Sequence, residues 1–251
     1  MKTLFLDIET APNTAYVWGL FKETIPLARL IESRYILCWA AKWKGKDSGV
    51  YFDSIQGKKS PKEMLNGVHK LLDEADTVVH YNGTSFDIPT LNKEFLTNGF
   101  SPPSPYKQID LLRVVRKQFS FTSNKLDHVS KELELTNKVD HIGFQLWVRC
   151  MQDDPEAWAL MEEYNVGDLY PLEELYNKIR PWIPNHPNQG LYSEDKAICP
   201  SCGGKHYHRR GTLTTRAGIY DRYQCQDCGT WFRGNRNRVT PAKQYLLVAP
   251  N

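Results

Sequence analysis

The run from Leu4 to Pro12, LFLDIETAP, constrains the fold of this chain more than any other stretch. Leu4, Phe5, Leu6 and Ile8 have the apolar density of a buried core strand, yet Asp7 and Glu9 interrupt it. An ionised carboxylate left buried and unpaired costs on the order of tens of kcal/mol in Born terms. Side chains alternate faces along a strand, so acids two residues apart point the same way. Two like charges on one face repel unless a cation lies between them, and oxygen donors suit a hard ion such as Mg²⁺ or Mn²⁺. The competing reading puts both acids at the strand's exposed end, one of them capping the next turn. Both readings require the strand.

The chain has 251 residues, 41% hydrophobic and 24% charged, which is enough for one α/β core and a small appendage. No apolar run approaches the roughly 18–20 residues of a membrane span. Asp7 and Glu9 also break MKTLFL as a signal-peptide core, so a cytoplasmic location without a membrane partner is expected.

Periodicity predicts a strand over 3–9, then a pair of strands, 35–44 and 48–53, joined by the turn Gly45-Lys46-Asp47. Pro61 opens a helix in which Met64, Leu65, Val68, Leu71 and Leu72 recur at helical spacing. A short buried strand over 77–81 leads through the turn NGTSF to a helix from Asp87 to about Gly99. Amphipathic helices are expected over 109–119 and 125–135, and a long final helix from about Pro155 to Ile179. Strands, a helix, a strand and then helices predict an α/β fold, a mixed sheet flanked by helices.

Four further residues stand out against this frame. Asp87 sits where a helix follows a turn, which by itself suits an N-terminal cap, and Asp110 has the same explanation. Tyr164 and Asp168 are four apart on one helix face. A carboxylate with a phenol one turn away can hold a metal and orient its water, or simply form a surface hydrogen bond.

In order and spacing, FLDIET, VVHYNGTSFDIPTL and EEYNVGDLYPL resemble the three sequence blocks of the DEDD 3′–5′ exonucleases. These are DnaQ-like enzymes of the ribonuclease H-like superfamily, and a tyrosine at position 164 matches their tyrosine subtype, DEDDy. The resemblance covers roughly residues 1–180, and SNKLDHVSKELEL is similar to the helix many members carry between the second and third blocks. It implies that Asp7, Glu9, Asp87 and Asp168 hold two Mg²⁺ or Mn²⁺ ions and that Tyr164 positions the attacking water. Asp7 would bridge the ions, Glu9 and Asp168 would complete the first site, and Asp87 would help hold the second. The implied reaction is two-metal hydrolysis of phosphodiester bonds, releasing nucleoside monophosphates. The gap from Asn82 to Asp87 is of a length that varies in the family, so no role is carried over to Asn82. Two alternatives remain: a non-catalytic nucleic-acid-binding protein that kept the fold, or a proofreading-type subunit acting with a polymerase in trans.

The C-terminal quarter has a different character. Cys199-x2-Cys202 and Cys225-x2-Cys228, separated by residues 203–224, have the spacing of a tetrathiolate site for one structural Zn²⁺. Without a secretion signal, such pairs point to metal before disulfides. Both pairs run into glycine, and the intervening segment is strand-like, as in a zinc ribbon. His206 and His208 are not needed as ligands, and Cys38 and Cys150, among apolar neighbours, read as buried thiols. Residues 186–251 hold ten basic against four acidic side chains, a net +6, whereas the rest of the chain nets −3. Arg209, Arg210, Arg222, Arg233, Arg236 and Arg238, with Trp231 among them, form the expected nucleic-acid surface. A protein-contact role for the ribbon is the alternative.

The expected organisation is a nuclease domain over 1–182, a Pro-rich linker over 183–196 and a zinc ribbon with a basic tail over 197–251. The expected partners are single-stranded or 3′-ended DNA ahead of RNA, with a replication or repair protein as a further one.

Overall fold

The computed structural model describes residues 1–45, 49–136, 142–195 and 197–240. Lys46, Asp47 and Ser48 of the expected turn and strand, Lys196 of the expected linker and residues 241–251 of the expected basic tail lie outside these. The chain divides into two compact units, Lys2–Asn177 and a second from Lys178 onward.

The first unit is built on a five-stranded mixed sheet: β1 (Thr3–Thr10), β2 (Ile36–Trp43), β3 (Val50–Ser54), β4 (Thr77–His80) and β5 (Lys107–Asp110). Across the sheet the order is β3-β2-β1-β4-β5. β1 and β2 pair antiparallel, as do β2 and β3, while β4 and β5 add in parallel on the other side of β1. The helices are α1 (Pro61–Glu74), α2 (Asp87–Thr97), α3 (Leu111–Gln118), α4 (Leu126–Glu132), α5 (Gln145–Met151) and α6 (Pro155–Ile179).

Helices cover both faces of the central strands, so all eight residues of β2 are buried rather than alternate ones. β1 divides its side chains between the two layers. Leu4, Leu6 and Ile8 pack with Met64, Leu65 and Val68 of α1 and Leu91 and Phe95 of α2. On the opposite face the Phe5 ring meets Tyr176 of α6 edge-on at 5.5 Å. Beyond it Ala11, Leu37 and Cys38 pack with Leu146 of α5 and Trp158, Met161 and Tyr164 of α6. Asp7 and Glu9 belong to that second face by alternation. α1 starts where a capping box forms: Ser60 accepts from the Glu63 N–H while Glu63 accepts from the Ser60 N–H, with Pro61 in the first turn.

The three antiparallel strands and the long last helix lie where periodicity puts them. β5 does not: Lys107–Asp110 is a strand where the sequence suggests the opening of a helix. Only Ile109 and Asp110 of its four residues are buried, and its pairing with β4 is non-local, so no periodic signal marks it. α4 is shorter than expected, ending at Glu132 because Glu134 adopts a left-handed backbone (φ 55°). α5 is an additional element.

In the second unit β6 (Tyr207–Thr215), β7 (Gly218–Cys225) and β8 (Trp231–Asn237) form an antiparallel sheet with β7 central. Tyr207, Tyr223 and Phe232 pack ring against ring across it, with centroids 5.5–5.6 Å apart. Among the described residues no helix is long and apolar enough to cross a membrane.

Candidate functional site

β1 outruns its parallel neighbour: β4 pairs with it only at Thr3, Leu4 and Phe5, whereas β1 continues to Thr10. That leaves the N–H of Ile8 without a strand partner on that side, and the carboxylate of Asp87 takes it at 3.3 Å. Asp87 is therefore not a helix cap. It is the first residue of α2, Phe86 holds the cap position without a side-chain bond, and the Asp87 carboxylate reaches across to β1.

What sets Asp87 there is the turn before it. Asn82 takes a left-handed backbone (φ 71°), and a Cβ on Gly83 would lie 2.4 Å from the His80 ring. Asp110 caps α3 by accepting from the N–H groups of Leu112 and Arg113, as expected. It also accepts from Asn82 N–H at 3.0 Å and Thr84 N–H at 3.3 Å, so one buried carboxylate fixes both the helix and the turn.

On the other face of β1, Asp7, Glu9 and Asp168 each offer a carboxylate oxygen, and the three oxygens lie within 4.8 Å of one another. Asp7 and Glu9 come from β1 and Asp168 from α6, which crosses that face. Asp87 is outside this group of three. Tyr164, one turn before Asp168, is buried, and burial together with Asp168, Glu9 and Asp7 pushes its phenol well above the usual range. It therefore stays protonated at neutral pH. Asp87 is pushed up to about 7, chiefly by burial; its hydrogen bonds from its own N–H and that of Ile8 pull down and Asp110 pushes up.

Two residues that sequence reasoning passed over complete the surroundings. Asn165 of α6, fully buried, donates from Nδ2 to Asp7 at 2.6 Å. Trp147 of α5 donates from Nε1 to Glu9 at 2.9 Å, and its ring meets Tyr164 edge-on at 5.9 Å. A signal for Asn165 was available, since a polar residue three before Asp168 on the same helix shares its face. Nothing local marks Trp147, whose helix was not anticipated.

Three converging carboxylates, Asp7 and Glu9 oriented by Asn165 and Trp147, form a hard-oxygen donor set. It suits Mg²⁺ or Mn²⁺, because a divalent cation relieves the repulsion that these oxygens otherwise sustain. Asp87, on the neighbouring edge of β1, is one strand residue from both Asp7 and Glu9 through its bond to Ile8.

In the second unit Cys199, Cys202, Cys225 and Cys228 bring their sulfurs within the same 4.8 Å limit. Each pair sits in a tight turn, where Gly203 N–H bonds Cys199 C=O at 2.9 Å and Gly229 N–H bonds Cys225 C=O at 3.1 Å. Both glycines have φ near +80° (78° and 79°), which explains the glycine after each pair. Four soft thiols at this spacing fit a tetrahedral Zn²⁺. His206 is turned to Asp227 at 3.0 Å.

The arginines of this second unit are partly engaged. Arg209 and Arg238 both reach Asp221, at 2.6 and 3.2 Å. Arg222 lies over the Trp231 ring at 4.9 Å and Arg233 over Tyr220 at 4.0 Å. Arg210 lends its backbone carbonyl to Arg222, and Arg236 is an exposed residue of β8.

Comparison with curated proteins gives no significant match. Among solved structures, a family B DNA polymerase from the hyperthermophilic archaeon Pyrobaculum calidifontis superposes with a TM-score of 0.52 at 16% identity, over 72% of this chain. This chain spans only 24% of the length of that polymerase, and the likeness is one of fold. The sequence model of the RNase_H superfamily matches residues 4–180, which hold the five-stranded sheet, all three clustered carboxylates, Asp87 and Tyr164. The chain therefore belongs to the RNase_H superfamily.

Proposed function

We propose that this protein is a metal-dependent 3′–5′ exonuclease that removes nucleoside monophosphates from single-stranded or 3′-ended nucleic acid, DNA ahead of RNA. The observation that carries this reading is the convergence of Asp7, Glu9 and Asp168 within 4.8 Å, with Tyr164 one turn from Asp168. Asp7, Glu9 and Asp168 would hold one divalent ion and Asp7 with Asp87 a second. Such ions supply an activated water and stabilise the departing oxygen.

The chain's own groups place and polarise. Asn165 and Trp147 fix the Asp7 and Glu9 carboxylates before substrate arrives, so little reorganisation is left to the reacting complex. Tyr164, kept as a neutral phenol, can donate a hydrogen bond to the attacking oxygen without adding charge to a crowded acidic site. In hydrolysis the water oxygen joins phosphorus and the P–O3′ bond breaks. The shortened strand keeps a 3′-hydroxyl and the released nucleotide carries the phosphate.

We further read residues 1–182 as the nuclease domain, 183–196 as a linker, and 197–251 as a Zn²⁺ ribbon that adds nucleic-acid affinity through Arg209, Arg210, Arg222, Trp231, Arg233, Arg236 and Arg238. Support comes from the cation–ring pairs on its exposed strands. Likeness to a polymerase keeps a replication or repair partner in trans as a reading.

Digestion of 3′- and 5′-labelled DNA and RNA oligonucleotides with Mg²⁺ or Mn²⁺, wild type beside Asp7→Ala, tests the proposal. The expected result is a ladder shortening from the 3′ end that the variant abolishes while its circular dichroism is unchanged. A variant as active as wild type would falsify the assignment.

A further inference from the structure

The loop between β1 and β2 carries an unusual concentration of exposed apolar surface. Tyr16 is 75% exposed, Trp18 90%, Leu20 85%, Phe21 87% and Leu27 85%. The loop is nonetheless built. Its arms pair antiparallel, Thr14 with Glu32 and Ala15 with Leu30, and Tyr16 N–H bonds Arg29 C=O at 3.1 Å. At its tip the Glu23 carboxylate accepts from the N–H groups of Trp18 and Gly19, at 3.1 and 3.0 Å, and pairs with Arg29. The same hydrogen bonds, that from Gly19 foremost, draw the Glu23 carboxyl below its usual range. A polar scaffold thus holds the aromatic side chains outward instead of letting them collapse onto the sheet.

The feet of this loop stand at the carboxylate cluster. Ala11, two residues after Glu9, bonds Tyr35 C=O at 2.9 Å, and Asn13 Oδ1 accepts from Arg34 N–H at 2.7 Å. The Arg34 guanidinium lies over the ring of Phe86, the residue before Asp87, at 5.4 Å. Nucleotides that adjoin a phosphate held at Asp7, Glu9 and Asp168 can reach these feet, which begin two residues after Glu9. Exposed aromatic faces with a cation at the tip (Lys22) and another at the foot (Arg34) match the chemistry of an unstacked single strand, base faces and phosphates in alternation. A protein partner would account for the aliphatic side chains but not for the loop's placement at the acidic site.

We propose that residues 14–32 form a stacking platform for the bases of a single-stranded 3′ end as it enters the carboxylate cluster. This rests on the exonuclease reading above for the direction in which the strand is held. The platform is tested by fluorescence anisotropy of a labelled single-stranded oligodeoxynucleotide with the full chain in an Asp7→Ala background, where nothing is digested. Adding Trp18→Ala and Phe21→Ala is expected to weaken binding by a factor of about 10 to 100, the loss of one or two stacked bases. Trp18→Tyr with Phe21→Tyr restores it, Trp18→Leu with Phe21→Leu does not, and melting temperatures stay together.

Binding unchanged in the alanine variant overturns the platform, as does rescue by leucine, which would mark a merely apolar contact. A shift from dimer to monomer in sedimentation on making the alanine variant also overturns it, since the loop would then be a self-association surface. The two readings fail separately. A wild type that digests no oligonucleotide defeats the exonuclease assignment alone, whereas tight binding by the alanine variant of an active enzyme defeats the platform alone.

Discussion

Asn165 and Trp147 hold the two acids of β1 from different helices, donating at 2.6 Å to Asp7 and at 2.9 Å to Glu9. Partners of this kind orient metal-binding carboxylates, and their loss typically weakens metal affinity about 10- to 100-fold. Asn165→Ala is expected to lower Mn²⁺ affinity by that order in calorimetric titration, with the fold retained. Asp87 gives a second expectation. Its folded pKa of about 7 lies above the unfolded value of about 3.9, so the folded state holds the proton more tightly. In the metal-free protein the contribution of Asp87 to stability should therefore be fully present below about pH 4, be lost as pH rises through about 7, and stay level above that. Urea midpoints across that range check it, and Asp87→Asn should flatten the slope. Strand alternation and helical spacing, which are local rules, put Asp7 with Glu9 and Tyr164 with Asp168 on shared faces, but only the resemblance of the three sequence blocks joined the two pairs. Asp87's real partner was not legible: a residue at the head of a helix reads as a cap, and only the shortness of β4 shows that Ile8 N–H needs an acceptor.

At the scale of elements, α1 lies against β2 through Gly67. A Cβ there would come 2.6 Å from Trp39, whose indole N–H is already committed to Met64 C=O at 3.0 Å. Alanine is the better helix former by about 1 kcal/mol, yet Gly67→Ala is expected to destabilise by about 1–3 kcal/mol through overpacking. Thermal unfolding decides between propensity and packing. Ser60→Ala, which removes one half of the capping box, should cost about 1 kcal/mol in the same measurement. α1, α2 and α6 were legible because each has a stop or start signal, and α1 an apolar stripe as well. β5 and α5 were not, for different reasons. β5 is four residues long and owes its strand character to pairing with β4, whereas α5 has seven residues and only Leu146 and Cys150 buried.

At the scale of the whole molecule, the opposition of charge along the chain corresponds to two separately compact units, each with its own candidate metal group. Cys225→Ser in the full chain is expected to release Zn²⁺, measured with a colorimetric chelator, and to weaken DNA binding with a shallower salt dependence. Unaltered salt dependence would favour a protein-contact role for the ribbon. The grouping of the four cysteines was legible from their spacing and the glycine that follows each pair; which arginines are tied up by Asp221 was not, since that depends on strand register. β1 has one more consequence, for how the gene can vary. Its acids and its aliphatic side chains are sorted into opposite layers purely by parity. Deleting one codon between Thr3 and Asp7 would shift that parity for one end of the strand against the other, turning both acids into the aliphatic layer or drawing the apolar residues out of it. Length variation should therefore be barred from this strand even where single substitutions pass, and a scan of one-residue deletions should find β1 among the least tolerant segments of the chain.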